Sequence, residues 1–331
     1  RLAHGGGNFY DGWMKNQKSA MISFNDGFRP VSFLLEVCEE YAEKFGNFMG
    51  IKDFFHKVKM GFVRMGETSI PYVSSAKRYG NNGEEIFIEK LEKSLPNCKI
   101  KRNVMINTND GNAEIDSLVL YQNKLFAIEV KRWKGRLTET EQGFIQEKTD
   151  RWTGEIHIRY QKSPFKQLNR AIYLLRKQIP VKVWVNGVVF FEDEEFEGIS
   201  TVSDNVWFDN VKELTDYIKF NGEISNGGNA VKFFEKCVSA DLLYANSWDK
   251  SLHCVIEDTS LNFQTANGIV TKNNIRYITI EHHWSYDKLT ILLVDGSNRY
   301  IEKENGKIRV NENGRIQEYA MCKLDYIETG R

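Results

Sequence analysis

Apolar positions along the chain fall into three successive patterns. Between residues 31 and 65 they recur at helical spacing, at Phe33, Leu34, Val37 and Tyr41, behind Pro30 at a helix start. A second helix is predicted over 51–59. With the glycine-containing stretch 1–20, read as loosely structured, these form an N-terminal extension and helical preface, 1–78. From 79 the pattern turns α/β. Gly83 is read as preceding a helix over 84–95, and strand-like runs follow at 99–106, 113–121 and 125–130. Gln122-Asn123-Lys124 marks a tight turn between the last two. Residues 134–161 are less patterned. Ser163 and Pro164 supply an N-cap and a first-turn proline for a helix with the stripe Leu168, Ala171, Ile172 and Leu175. A buried strand is expected over 181–191 and a helix over 211–220.

The stretch 221–229 (NGEISNGGN) reads as a linker, followed by a short helix around 231–237. Strand patterns then dominate, at 275–284 and 289–294. Asp295-Gly296, Asn305-Gly306 and Asn313-Gly314 are hairpin signals. The expected organisation is a core over 79–221, a linker and short helix over 222–237, and a small antiparallel β domain over 238–331. The fold class is α/β (α+β).

Composition narrows the classes. The 331 residues are 41% hydrophobic and 13% aromatic, too apolar for a disordered chain. No apolar run reaches the ~18 residues of a membrane helix, and no secretory leader opens the chain, so a soluble protein without membrane contact is expected. Five scattered cysteines, an odd number, argue against a disulfide framework or zinc ribbon and suit a reducing cytoplasm. The start at Arg1 is read as that of a fragment or processed product. Lys and Arg (45) balance Asp and Glu (45), but unevenly. Residues 77–182 hold 21 basic against 13 acidic side chains; residues 191–216 hold one against nine. The basic segment is the footprint expected of a phosphate-backbone binder.

Asp116, Glu129 and Lys131 carry the candidate chemistry. Strand alternation puts Glu129 and Lys131 on one face and Ile128 and Val130 on the other. Asp116, on the preceding strand of an expected hairpin, falls beside Glu129. Charges on a central strand are costly to bury without partners. Converging carboxylates call for a cation, and oxygen ligands suit Mg²⁺ or Mn²⁺ rather than Zn²⁺. Lys131 is placed to orient or deprotonate a water. Glu84 shares a helix face with Phe87, Ile88, Leu91 and Leu95 and is the third acidic candidate.

The order of a helix acid, a strand Asp and Glu-x-Lys resembles the PD-(D/E)xK nuclease superfamily, and within it the nuclease-related domain, NERD. The resemblance runs from about Gly83 to Phe220. It rests on Gly83-Glu84 with Phe87 and Leu91, Ile115-Asp116, Ile128-Glu129-Val130-Lys131 with Gly135, Trp152, Pro164 to Gln167, and the apolar strand that follows. It implies a mixed sheet flanked by helices and metal-dependent hydrolysis of phosphodiesters, most readily in DNA. Asp116, Glu129 and the Val130 carbonyl would hold Mg²⁺ or Mn²⁺, and Lys131 would serve the attacking water. Glu84 would complete the metal shell or hold a second ion or water, and Gln167 would orient a phosphate or buttress the site. Arg132, Lys134, Arg136, Lys166 and Arg170 lie close to these motifs and are candidates to grip a nucleic-acid backbone.

Two other classes remain open at this level: a nuclease-fold module that binds nucleic acid or a protein within a larger complex while cleaving weakly or not at all, and an interaction scaffold acting through the β domain. That domain is also a candidate for protein partners or self-association. Genome maintenance and defence against foreign (phage) DNA both suit such a nuclease. The histidines, His282 and His283 among them, are read as structural or surface residues, the acidic run 192–197 as a solvated turn, and Tyr277, Trp284, Tyr286 and Tyr300 as core packing.

Overall fold

A computed structural model of the chain describes residues 56–57, 60–61, 63–64, 67, 69–72, 75–200, 204–222, 224–245, 250–312 and 314–330. The helices expected over 31–65 and 51–59 lie largely outside these residues; 56–57, 60–61 and 63–64 are helical.

A six-stranded mixed sheet forms the first core. Its order is β10 (Val238–Ser239), β1 (Lys99–Thr108), β2 (Gly111–Tyr121), β3 (Lys124–Lys131), β7 (Val185–Phe191) and β9 (Trp207–Phe208). β1, β2 and β3 form an antiparallel meander, and β7 joins β3 in parallel. β3 is buried on both faces and accordingly has a nearly unbroken apolar sequence. On one face Leu118, Leu120, Leu125 and Ala127 pack against α2 (Pro164–Gln178) and α4 (Asn229–Lys236). On the other, Val119, Phe126, Ile128 and Val130 meet α1 (Ser75–Ser94) and α3 (Val211–Asp216), which runs into a π-helical turn over Tyr217–Asn221. The fold is thus the expected mixed sheet flanked by helices.

α1 begins well before Glu84, so Gly83 sits inside the helix rather than ahead of it. It is buried there because the Arg132 side chain crosses it: a Cβ would lie 3.0 Å from Arg132 Cδ. The Ser163 hydroxyl accepts from Lys166 N and caps α2, as its sequence predicts. The unpatterned stretch 134–161 is a meander of β4 (Gly135–Thr140), β5 (Gly143–Thr149) and β6 (Ile156–Gln161). With β8 (Phe196–Ser200) it forms a four-stranded sheet in the order β6-β5-β4-β8.

The stretch read as a linker is tied down. Asn226 exchanges hydrogen bonds with the backbone N–H and C=O of Trp184, and its own N–H donates to Asn123. α4 buries Ala230, Phe233 and Phe234 in the first core, and β10 pairs with β1.

An eight-stranded, wholly antiparallel sheet follows. Its order is β17 (Asn298–Lys303), β16 (Asp287–Leu293), β15 (Ile275–His282), β20 (Tyr326–Glu328), β11 (Asp241–Ala245), β12 (Lys250–Ile256), β18 (Lys307–Glu312) and β19 (Arg315–Ala320). A short hairpin, β13 (Phe263–Thr265) with β14 (Gly268–Val270), completes the β domain. Two of the three expected hairpins form, β16–β17 and β18–β19. Asn305-Gly306 instead joins strands in separate parts of the sheet order. Gly306 is required for packing, since a Cβ would come 2.5 Å from Met321 Sδ. Contrary to the expected core packing, Trp284 and Tyr300 are exposed. No described helix is long and apolar enough to cross a membrane.

Candidate active site

The β2–β3 register ends at Ser117↔Ile128. Beyond it, Val130 has no partner on that edge of β3. The Asp116 carboxylate takes the place of one: its Oδ2 accepts from Val130 N at 2.7 Å. N–H and C=O of one strand residue face the same edge, so the Val130 carbonyl also faces Asp116.

Glu129 and Lys131 lie on the α2 face of β3. Glu129 is 1% exposed, which is expensive for a carboxylate. Its Oε1 accepts from Lys131 Nζ at 2.5 Å and from Gln167 Nε2, on the first turns of α2, at 2.6 Å. Its Oε2 is buried with no hydrogen-bond partner. The structure therefore brings Asp116, Glu129, Lys131 and Gln167 together, with the Val130 backbone beside them.

The charge balance is strained. Burial, and then the negative charges of Glu129 and Glu84, hold the Asp116 carboxyl well above the usual carboxylate range. Burial also raises Glu129, against the pull of Lys131. Lys131 is held above its usual value: burial opposes its charge, but Glu129 and Asp116 outweigh burial. Burial raises Glu84, and the largest opposing influence on it is His253, from β12 of the β domain.

Sequence reading overlooked His253 and Glu114. Glu114 stands two residues from Asp116 on β2. His253 Nδ1 lies 2.6 Å from Glu114 Oε1 and its side chain is 11% exposed. The β domain thus supplies part of the wall around the acidic cluster. Both reach the cluster through tertiary packing, Glu114 by its contact with His253 across the two sheets.

Among the described residues, no three His, Cys, Asp or Glu side chains are grouped so as to hold a metal ion by themselves. The donor set nonetheless fits a hard cation. It offers two carboxylates, one with an orphaned buried oxygen, and a backbone carbonyl, all oxygen.

The basic candidates are distributed differently. The acidic run 192–197 lies against them: Asp193 Oδ2 is 3.6 Å from Arg132 Nε, and Glu195 Oε2 is 3.3 Å from Lys134 Nζ. Glu192 pairs with Lys90 at 2.6 Å. The run is therefore a counter-charge to the basic segment rather than an idle solvated turn. Lys166 Nζ donates to the Glu141 carbonyl at 2.7 Å, and Arg170 to the Asp110 carbonyl at 3.3 Å. Arg136 projects from β4 and is exposed.

No curated protein and no solved structure matches the chain. One family model does match, over residues 79–192, the span that contains α1 from Tyr79, β1 to β6, α2 and β7. That family is the nuclease-related domain, NERD, which residues 79–192 of this chain match.

Proposed function

We propose that the chain is a Mg²⁺- or Mn²⁺-dependent nuclease that hydrolyses phosphodiester bonds in DNA, with Asp116, Glu129, the Val130 carbonyl and Lys131 at its centre. The observation that carries this reading is Glu129. Two donors fix its Oε1, and its second oxygen is buried without a partner, a costly arrangement unless a cation completes it.

Asp116, Glu129 Oε2 and the Val130 carbonyl would hold the ion, with Glu84 completing its shell or holding a second ion or water. The ion would supply charge neutralisation on the phosphate oxygens and a more acidic bound water. Gln167 keeps the Glu129 carboxylate in one orientation. Lys131 Nζ, held between Glu129 and the negative field of Asp116, is positioned to hydrogen-bond the attacking water and to offset charge on the pentacoordinate phosphorus. Arg136, Lys166 and Arg170 would steer the nucleic-acid backbone, and Arg132 and Lys134 would do so once they exchange their acidic partners for phosphate. The basic surplus of the segment supports a polyanionic substrate.

The test is a panel of supercoiled, linear and single-stranded DNA and of RNA, each with Mg²⁺, Mn²⁺ or EDTA. Cleavage of DNA that EDTA abolishes and that Asp116→Ala abolishes supports the assignment. Binding without cleavage under every condition overturns it in favour of a nucleic-acid-binding module.

A further inference from the structure

Between the two catalytic elements the chain makes an excursion. β4 begins four residues after Lys131, and β6 ends six residues before Gln167. Its base is rigid: Gln146 donates to the Lys134 carbonyl at 2.8 Å and accepts from Gln161 at 2.9 Å. Its outer part, the β5–β6 hairpin, is bare. β6 is an edge strand, and on one of its faces Ile156, Ile158 and Tyr160 are 63%, 58% and 84% exposed. Trp152, in the turn at the tip, is 97% exposed; Asp150 Oδ1 caps that turn by accepting from Trp152 N and Thr153 N. Strand alternation puts His157 and Arg159 on the other face, with Lys148 directly opposite His157; all three are exposed.

We infer that this hairpin is a nucleic-acid-binding arm, in which Trp152 and Tyr160 stack on unpaired bases beside the bond held at the Glu129 site. The occupant follows from charge and place. One face of the arm carries Lys148, His157 and Arg159, which suits a polyanion. Residues 148–162 hold four Lys or Arg against Asp150 and Glu155. Both feet of the arm join elements that carry the site, Lys131 on β3 and Gln167 on α2, so the arm is rooted beside it. Exposed rings combined with basic side chains in one element are the usual means of gripping single strands, because every base offers a face to stack on. Charged side chains on the edge strand also discourage pairing with another protein strand. This inference rests on the nuclease reading for the position of the scissile bond.

The experiment measures binding of the full chain to a short single-stranded DNA in EDTA, by fluorescence anisotropy. Trp152→Ala/Tyr160→Ala is expected to raise Kd about ten-fold or more, and Trp152→Phe/Tyr160→Phe to restore most of the affinity. Both side chains are exposed, so neither variant should lose the fold. Equal Kd for wild type and the alanine variant, or no binding by wild type, overturns the arm. So does an alanine variant that loses self-association in sedimentation while Kd stays constant, which would make the hairpin a protein interface. Arm-dependent binding by a protein that cleaves nothing leaves the arm standing and removes the nuclease reading. Cleavage of DNA with arm-independent binding does the reverse.

Discussion

His253 Nδ1 lies 2.6 Å from Glu114 Oε1, so a residue of the β domain is bonded to the strand that presents Asp116. The two sheets therefore share the wall of the acidic cluster. Hydrogen bonds to charged groups contribute about 1.5–3 kcal/mol. Replacing His253 by Ala should lower Mg²⁺-dependent cleavage by about ten-fold, measured as kcat/KM, while the melting temperature falls by only a few degrees. Unchanged cleavage would reduce the pair to an interdomain tether.

Lys131 and the carboxylates should separate cleanly in a metal titration. Lys131 Nζ sits on Glu129 Oε1, and its positive charge opposes a cation held at the other oxygen of the same carboxylate. Lys131→Ala should therefore bind Mn²⁺ at least as tightly as wild type by calorimetry. Asp116→Ala and Glu129→Ala should lose about ten-fold or more in affinity, as expected when an anionic ligand is removed.

Gly135 opens β4 at φ +78°, and a Cβ there would lie 2.0 Å from the Glu147 carbonyl oxygen. Backbone would have to move, because no flexible side chain is there to yield. Gly135→Ala should cost about 2 kcal/mol or more and lower the melting temperature by roughly 5 °C. Limited proteolysis should then cut first within β4–β6.

In the β domain, His282 is held above its usual pKa by its hydrogen bond to Asp287, 2.9 Å away, against the cost of burial; Asp325 adds to the rise. Arg64 also pairs with the buried Asp287. A raised folded-state pKa gives stability that is full below the unfolded value and fades as pH rises through the folded value. Wild type should therefore lose melting temperature relative to His282→Gln as pH rises from about 6 to 8. The change should be only about 1–3 °C, because the imidazole is partly exposed. A difference that is flat across that range contradicts this account.

The candidate site strand, β3, was legible because its logic is local. Period-two alternation puts Glu129 and Lys131 on one face, and the turn at Gln122 to Lys124 makes an antiparallel hairpin whose register brings Asp116 level with Glu129, its carboxylate reaching Val130 N. Gln167 follows from Ser163 and Pro164, which start α2 at the right place. The excursion 134–161 was not legible. β6 buries nothing and β5 buries only its first residues, Phe144 among them, so no apolar stripe marks them and backbone pairing does most to define them. Gly83 misled for a related reason. Glycine inside a helix usually costs stability, but here it makes room for Arg132, a long-range contact. The same holds for Asn305-Gly306, where the glycine serves Met321 and not a hairpin. His253 carries no signal at all until β12 is folded against β2.

The most direct test of the central claim is the single-turnover cleavage rate of end-labelled DNA with saturating Mg²⁺, wild type against Lys131→Ala. The account predicts measurable cleavage by wild type and a loss of about a hundred-fold or more in the variant, the scale at which a positioned acid, base or charge contributes to such a step. Equal rates in the two proteins, or no cleavage by wild type on any DNA, would contradict it.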